Sequence, residues 1–251
     1  MELFHVALLI HDDVVDHASV RRGGKAFHVQ VGDADLAIIW GDYLFSLVMD
    51  QFLQLKSQKL SHLFSRTFIQ TCVGQLQDLS FRRRLVPLED ILESYARKTG
   101  VYGFYFPWAL AFELNQEPYR DDVLEKVSQK CGMIYQIADD LAILDPHQDH
   151  KSAQSDFEQG QMTYVLKCLE KYLGDLYTQP RSFSDWIAWV RQHPGTQQAL
   201  QDVRAQMDSL VSEIKPLCFE VTQSPLQHRL TEVVDCVCVH AMTRLIEGKS
   251  K

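Results

Sequence analysis

Apolar residues recur at helical spacing along most of the chain, and the elements they predict are helices joined by polar turns. Residues 1–17 carry Phe4, Val6, Leu8, Leu9, Ile10, Val14 and Val15 on almost every side, which predicts a buried helix. A loop follows from Ser19 to Gly32 and contains Arg21-Arg22-Gly23-Gly24-Lys25. Helical periodicity returns over 34–56 and 59–80, then from Pro87 to about Leu114, with a kink or break expected at Pro107. Asn115 to Pro118 connects to a helix over 121–144, which Pro146 ends, and a polar loop reaches Gly160. Helices over 161–176, 183–192, 196–214 and 226–247 complete the pattern, with Pro180, Pro194, Pro216 and Pro225 near their boundaries. No alternating strand pattern, fixed repeat or linker rich in Pro, Gly or Ser interrupts it. The expectation is an all-α, single-domain helical bundle over 1–251, built around a central cavity.

Composition narrows the ligand more than the fold. The 251 residues are 46% hydrophobic and 23% charged, ordinary values for a globular chain. The net charge of −8 argues against a nucleic-acid partner, which asks for a basic face. An anionic ligand would need a local basic cluster or a metal ion. No apolar run is read as reaching the roughly 18–20 residues of a bilayer span, and no signal-peptide pattern follows Met1. Cys72, Cys131, Cys168, Cys218, Cys236 and Cys238 are scattered, as expected for reduced thiols. Together these features predict a cytoplasmic protein with no stable membrane anchor.

Three clusters carry candidate chemistry. Asp12-Asp13-Val14-Val15-Asp16 gathers three carboxylates on one face of an apolar helix, where like charges repel unless a cation joins them. Oxygen-only ligands suit Mg²⁺, which shares itself with substrate phosphates. Arg21-Arg22 supplies planar guanidinium groups suited to phosphate oxygens. Gly132-Met133-Ile134-Tyr135-Gln136-Ile137-Ala138-Asp139-Asp140 places a second Asp pair at the end of another apolar helix, ahead of a loop with Lys151. Two such helices facing one cavity would hold a diphosphate between them through Mg²⁺.

The segment Glu2–Arg22, ELFHVALLIHDDVVDHASVRR, resembles the first aspartate-rich motif and trailing arginine pair of the trans-type isoprenyl (polyprenyl) diphosphate synthases. Gly41-Asp42-Tyr43-Leu44, Lys98-Thr99, Tyr135-Gln136 with Asp139-Asp140, and Lys151 follow in that family's order, so the resemblance covers 2 to about 165. It implies that Asp12, Asp13, Asp16, Asp139 and Asp140 coordinate Mg²⁺ on an allylic diphosphate. Arg21 and Lys98 would touch that diphosphate, Arg22 would hold isopentenyl diphosphate, and Lys151 would add charge near the leaving group. Thr99 and Gln136 would line the reacting carbons of a 1′–4 condensation. A homodimer is the expected assembly, with the aromatic-rich stretch 101–112 as a source of interface.

The chain departs from the family pattern at several points. The resemblance begins at the first motif, so the expected bundle lacks the family's N-terminal helices and their grip on isopentenyl diphosphate. Ile143 stands where the second motif has its third Asp, and Asp145 lies about 200° further round a helix. Gly160-Gln161-Met162-Thr163 replaces Gly-Lys-x-Thr, and Gln75 stands where Glu is frequent. These changes keep open a second reading, a weak or silent homologue acting as partner subunit. A class I terpene cyclase is a third, disfavoured because the Asn/Asp-Ser-Glu metal motif is missing. In that family the product tail runs beside the first Asp helix and is floored by a bulky residue four or five positions before the first Asp, here Leu8 and Ala7; Ala7 leaves room and Phe4 is the next large residue, so the resemblance implies products of C20 or longer. Arg82-Arg83-Arg84 reads as a solvated helix end; Cys236, Cys238 and His240 cannot converge on a metal at their spacing of two, and the two cysteines read as core thiols.

Overall fold

The computed structural model describes residues 1–82, 84, 86–144, 159–174, 176 and 182–247, with side chains of the last helix as far as Thr243. Helix α1 (Glu2–Val15) leads into a two-residue antiparallel pair, β1 (Val20–Arg21) and β2 (Gly24–Lys25). The turn between them has positive φ at both Arg22 (52°) and Gly23 (78°), the backbone that a two-residue hairpin requires. Helix α2 (Phe27–Val31) ends at Gly32, which is left-handed at φ 72°. Helix α3 (Ala34–Gln54) starts at Asp33, whose side chain accepts from the Leu36 N–H at 3.0 Å, and α4 (Gln58–Ser80) follows. The hairpin and α2 both lie in the stretch read from sequence as loop. Two-residue strands and a one-turn helix are too short to produce a periodic signal.

Met1–Phe64 and Gln159 form one compact unit, and the remaining described residues form a second. The division falls inside α4, where no change of composition marks it.

In the first unit α1 packs on α3. The buried face of α1 is Phe4, Ala7, Ile10 and Asp13, while Leu3 and Val6 are exposed. The helix is therefore amphipathic in its setting, not buried all round as its apolarity suggests. Helix α3 also departs from expectation. An 18-residue stretch within its 21 residues has a mean hydropathy of 1.3, so the helix is long and apolar enough, by length and composition, to cross a membrane. The sequence reading missed this because Asp35, Asp42 and Asp50 break the apolar run. A mid-helix carboxylate such as Asp42 costs about 3 kcal/mol at a bilayer centre. Ile39, Trp40, Tyr43 and Leu53 are exposed on this helix.

In the second unit α5 (Leu88–Tyr95) runs into a π-helix (Ala96–Tyr105) and then α6 (Phe106–Leu114). The change of winding is direct: the Phe106 N–H bonds to the carbonyl of Val101, five residues back. Pro107, which has no N–H to continue the ladder, stands where the winding returns from π to α and does not break the helix. Helix α7 (Asp121–Asp140) is the centre of this unit and continues as a 3₁₀ turn (Leu141–Leu144). Its Val123, Leu124, Val127, Cys131, Ile134 and Ile137 are buried at helical spacing against the π-helix and two long later helices. Helices α8 (Tyr164–Leu173), α9 (Phe183–Gln192), α10 (Gly195–Val221) and α11 (Leu226–Glu247) complete the all-α architecture. Helix α10 passes through Pro216, where the sequence predicts an end. Ile214, Cys218 and Val221 are buried on either side, and that packing outweighs the roughly 3 kcal/mol a mid-helix proline costs. The stretch 101–112, offered above as interface, has Val101, Tyr105, Phe106, Ala109 and Phe112 in the core. All six cysteines are free thiols; Cys236 is exposed, contrary to its reading as a core residue, and Cys238 is buried two positions on.

Candidate active site

The first aspartate cluster lies at the end of α1, with Asp16 just past its last turn. Asp13 is only 3% exposed, and its Oδ1 accepts from the Arg21 Nε at 2.7 Å and also from Arg21 Nη2. Arg21 Nη2 lies 3.7 Å from Asp12. Arg21 is the last residue of β1, held by its pairing with Gly24 across the hairpin. Burial alone would lower the Arg21 pKa, but the hydrogen bond and charge of Asp13, with Asp12 and Asp16, raise it further. Arg22, at the left-handed turn position, donates from Nη2 to His5 Nε2 at 3.1 Å. Burial and the Arg22 charge hold the His5 pKa below its usual 6.5. Gln159 Nε2 donates to the Asp16 carbonyl.

The residue before the Asp pair is also placed by design of the backbone. His11 Nε2 faces the Ile38 carbonyl at 3.1 Å and the Asp42 carboxylate at 3.3 Å, so it carries the ring proton. A Cβ at Gly41 would overlap this imidazole, which explains a glycine before Asp42. Phe4 stacks edge-on with Phe64 at 5.3 Å, and Phe64 stacks on Phe52 at 4.7 Å and on Phe45 at 5.5 Å. Ala7 is buried one turn above Phe4, and Leu8 is half-buried beside it.

The second unit brings together the other candidates. Thr99 donates to Gln136 Oε1 at 3.1 Å, and Gln136 Nε2 lies 3.5 Å from Asp140 Oδ1. Asp140 Oδ2 accepts from the buried Tyr95 hydroxyl at 2.6 Å, and that hydroxyl accepts from the Tyr164 N–H at 3.0 Å. Burial, then the charge and hydrogen bond of Asp140, raise the Tyr95 pKa well above its usual value, so it stays a donor. Lys98 Nζ lies 3.4 Å from Asp78 Oδ2, and Asp78 Oδ1 accepts from Gln161 Nε2 at 2.6 Å. Three glycines permit these approaches. A Cβ at Gly132 would overlap the Gly100 backbone, and one at Gly74 would lie 2.5 Å from Lys98 N. The π-helix is thereby seated against both α4 and α7. Elsewhere in this unit a cleft of about 470 Å³ is lined by Gln70, Glu93, Arg97, Glu125, Gln129 and Met133. None of the candidate residues lines it.

The sequence model of the polyprenyl synthetase family matches residues 1–178. The chain belongs to that family. A short chain isoprenyl diphosphate synthase of Methanothermobacter thermautotrophicus is 32% identical over 179 residues, which are 68% of this chain and 55% of that protein. The heptaprenyl diphosphate synthase component 2 of Geobacillus stearothermophilus is 27% identical over 173 residues, 65% of this chain and 52% of that one. The chain thus spans about half the length of the curated relatives it matches. The heptaprenyl diphosphate synthase of Staphylococcus aureus has the same fold, with a TM-score of 0.76 at 21% identity over 95% of this chain and 77% of that one.

For a polyprenyl synthetase, the placement of the expected residues divides cleanly. In the second unit Thr99, Gln136 and Asp140 join one network and Lys98 pairs with Asp78 in another, with Asp139 next to Asp140 on α7. Asp12, Asp13 and Arg21 join another in the first. Lys151 and Asp145 lie outside the described residues. Ile143 is buried in the 3₁₀ turn, an apolar residue packed where the family has a carboxylate. Sequence reasoning missed Asp78, Tyr95, His5 and His11. Tyr95 lies three residues before Lys98, and Gly74, Gly100 and Gly132 flag the crossings that position the network. Arg82 is not simply solvated: its Nε donates to Gln161 Oε1 at 3.0 Å. Among the described residues no three acidic, histidine or cysteine side chains converge as a metal cage. The donors present fit Mg²⁺ nonetheless, because that ion is held by one or two carboxylates together with substrate phosphate and water.

Proposed function

We propose that this chain is a trans-prenyltransferase, which joins isopentenyl diphosphate to an allylic diphosphate by 1′–4 condensation. The observation that supports this most is the Thr99–Gln136–Asp140–Tyr95 chain of hydrogen bonds beside the Lys98–Asp78 pair. Lys98 and Arg21 bind the allylic diphosphate, and Arg22 binds isopentenyl diphosphate. Asp12, Asp13, Asp16, Asp139 and Asp140 are the carboxylates that would hold Mg²⁺, and Lys151 a further phosphate contact. Bound Mg²⁺ supplies positive charge to the departing diphosphate. Thr99 and Gln136 present oxygen dipoles to the positive charge that develops when the allylic C–O bond breaks. The isopentenyl double bond then attacks, and loss of a proton completes the new allylic product. Phe4, packed in its aromatic cluster below Ala7, floors the product channel and allows C20 or longer. The assembly is a homodimer, with the exposed apolar side of α3 as its contact.

The test is incubation of the purified protein with Mg²⁺, labelled isopentenyl diphosphate and, separately, dimethylallyl, geranyl and farnesyl diphosphate. Elongation that Asp12→Ala abolishes is the expected result. Silence with every primer supports the second reading, a subunit that needs a partner chain. That reading is favoured by the likeness to proteins named component 2 of a heptaprenyl diphosphate synthase.

A further inference from the structure

We propose that Tyr95 is a positioning residue for the second aspartate pair, one that holds the Asp140 carboxylate for Mg²⁺, an inference that rests on the prenyltransferase reading. Tyr95 closes α5 where the winding turns to π, and it is buried. Its hydroxyl stands between a donor and an acceptor. The N–H of Tyr164 opens α8, has no partner within its own helix and can only donate; it reaches the Tyr95 oxygen at 3.0 Å. The hydroxyl hydrogen is thereby left for Asp140 Oδ2 at 2.6 Å, a length typical of a hydroxyl on an ionised carboxylate. The order is fixed, amide to hydroxyl and hydroxyl to carboxylate, and each bond polarises the next. Asp140 has use for such a donor. It stands at the C-terminal end of α7, where the helix dipole disfavours negative charge, and the last turn of α7 holds no basic residue. Gln136 Nε2, 3.5 Å from Oδ1, is too distant to be more than a weak partner. A carboxylate accepts at about four sites, so the bond to Tyr95 is compatible with metal ligation. What it contributes is orientation: the carboxylate is restrained before the metal arrives. Tyr164 directly follows Gly160-Gln161-Met162-Thr163, so the same hydroxyl ties that segment to the second aspartate pair.

Calorimetric titration of inorganic pyrophosphate at several Mg²⁺ concentrations tests this without relying on turnover. Tyr95→Phe keeps the ring and removes only the hydroxyl. At low Mg²⁺ it should weaken binding about tenfold, the lower end of what losing a metal ligand's hydrogen-bond partner costs. The deficit should shrink as Mg²⁺ rises, which a merely structural defect would not do. In an Asp140→Asn background the same change should cost little further, because Tyr95 acts through that carboxylate. Tyr95→Met, flexible enough to fill the same space, should behave alike and serves if Tyr95→Phe does not fold. If Asp140→Asn weakens binding and both Tyr95 variants match the wild type at every Mg²⁺ concentration, Tyr95 is structural and this inference falls alone. A Tyr95→Phe deficit that persists undiminished in the Asp140→Asn background overturns it as well. A wild type that neither binds pyrophosphate nor elongates any primer overturns the functional reading and this inference with it.

Discussion

At Asp13 a carboxylate is buried among apolar neighbours and answered by Arg21 alone among the contacts that the hairpin creates. Arg21→Ala should destabilise the protein by about 2 kcal/mol in urea unfolding. That is less than the 3–5 kcal/mol of a fully buried pair, because the Arg21 side chain is 37% exposed. His5 gives a pH dependence with a definite sign. Its pKa is lowered on folding, so the unfolded chain takes the proton first. Stability is complete above pH 6.5, the unfolded value, and declines as pH falls from there toward the lower folded pKa. His5→Gln, which keeps an acceptor for Arg22 but cannot titrate, should flatten the fall in melting temperature between pH 7 and pH 5 (roughly the range that histidine spans). Ala7→Phe adds bulk beside Phe4 at a buried site. The longest product should shorten by one or more isoprene units by mass spectrometry, at a cost of about 1–3 kcal/mol for overpacking.

Helices meet here through glycine. On an exposed helix Gly→Ala stabilises by up to about 1 kcal/mol. At Gly132 the sign reverses, since the added methyl would overlap the Gly100 backbone. Gly132→Ala should lower stability by about 1–3 kcal/mol and, by pushing the π-helix off α7, reduce turnover far more than substrate affinity. A kcat loss with KM little changed is the expected signature. The same crossing explains what was legible. Lys98-Thr99 and Gln136 could be read because they are chemically distinctive residues in a recognisable order. Tyr95 and Asp78 could not, because a tyrosine on an amphipathic helix and an aspartate near a helix end look ordinary until their partners are known. The helices were visible in apolar periodicity; the π winding of Ala96–Tyr105 was not, because it amounts to one surplus residue in a segment that otherwise reads as helical, and no residue type marks it.

Across the whole molecule, the all-α architecture follows from a pattern strong enough to survive local errors such as Pro216. The hairpin and α2 escaped because turn geometry, not periodicity, builds them. The exposed side of α3 predicts association. Sedimentation should give a mass near twice 28.9 kDa, and Ile39→Glu with Trp40→Glu should shift it to the monomer without lowering the helical signal in circular dichroism. The π-helix reaches beyond its own turn. Its wide winding amounts to an α-helix carrying a surplus residue, and each residue turns an α-helix by 100°. Deleting Tyr102 would let the segment relax to the commoner winding at little cost to the fold. Lys98 and Thr99 would then be out of phase with the helix that follows. On the prenyltransferase reading, a chain one residue shorter should keep its helical content and lose turnover, so the count of residues would matter as much as their identity.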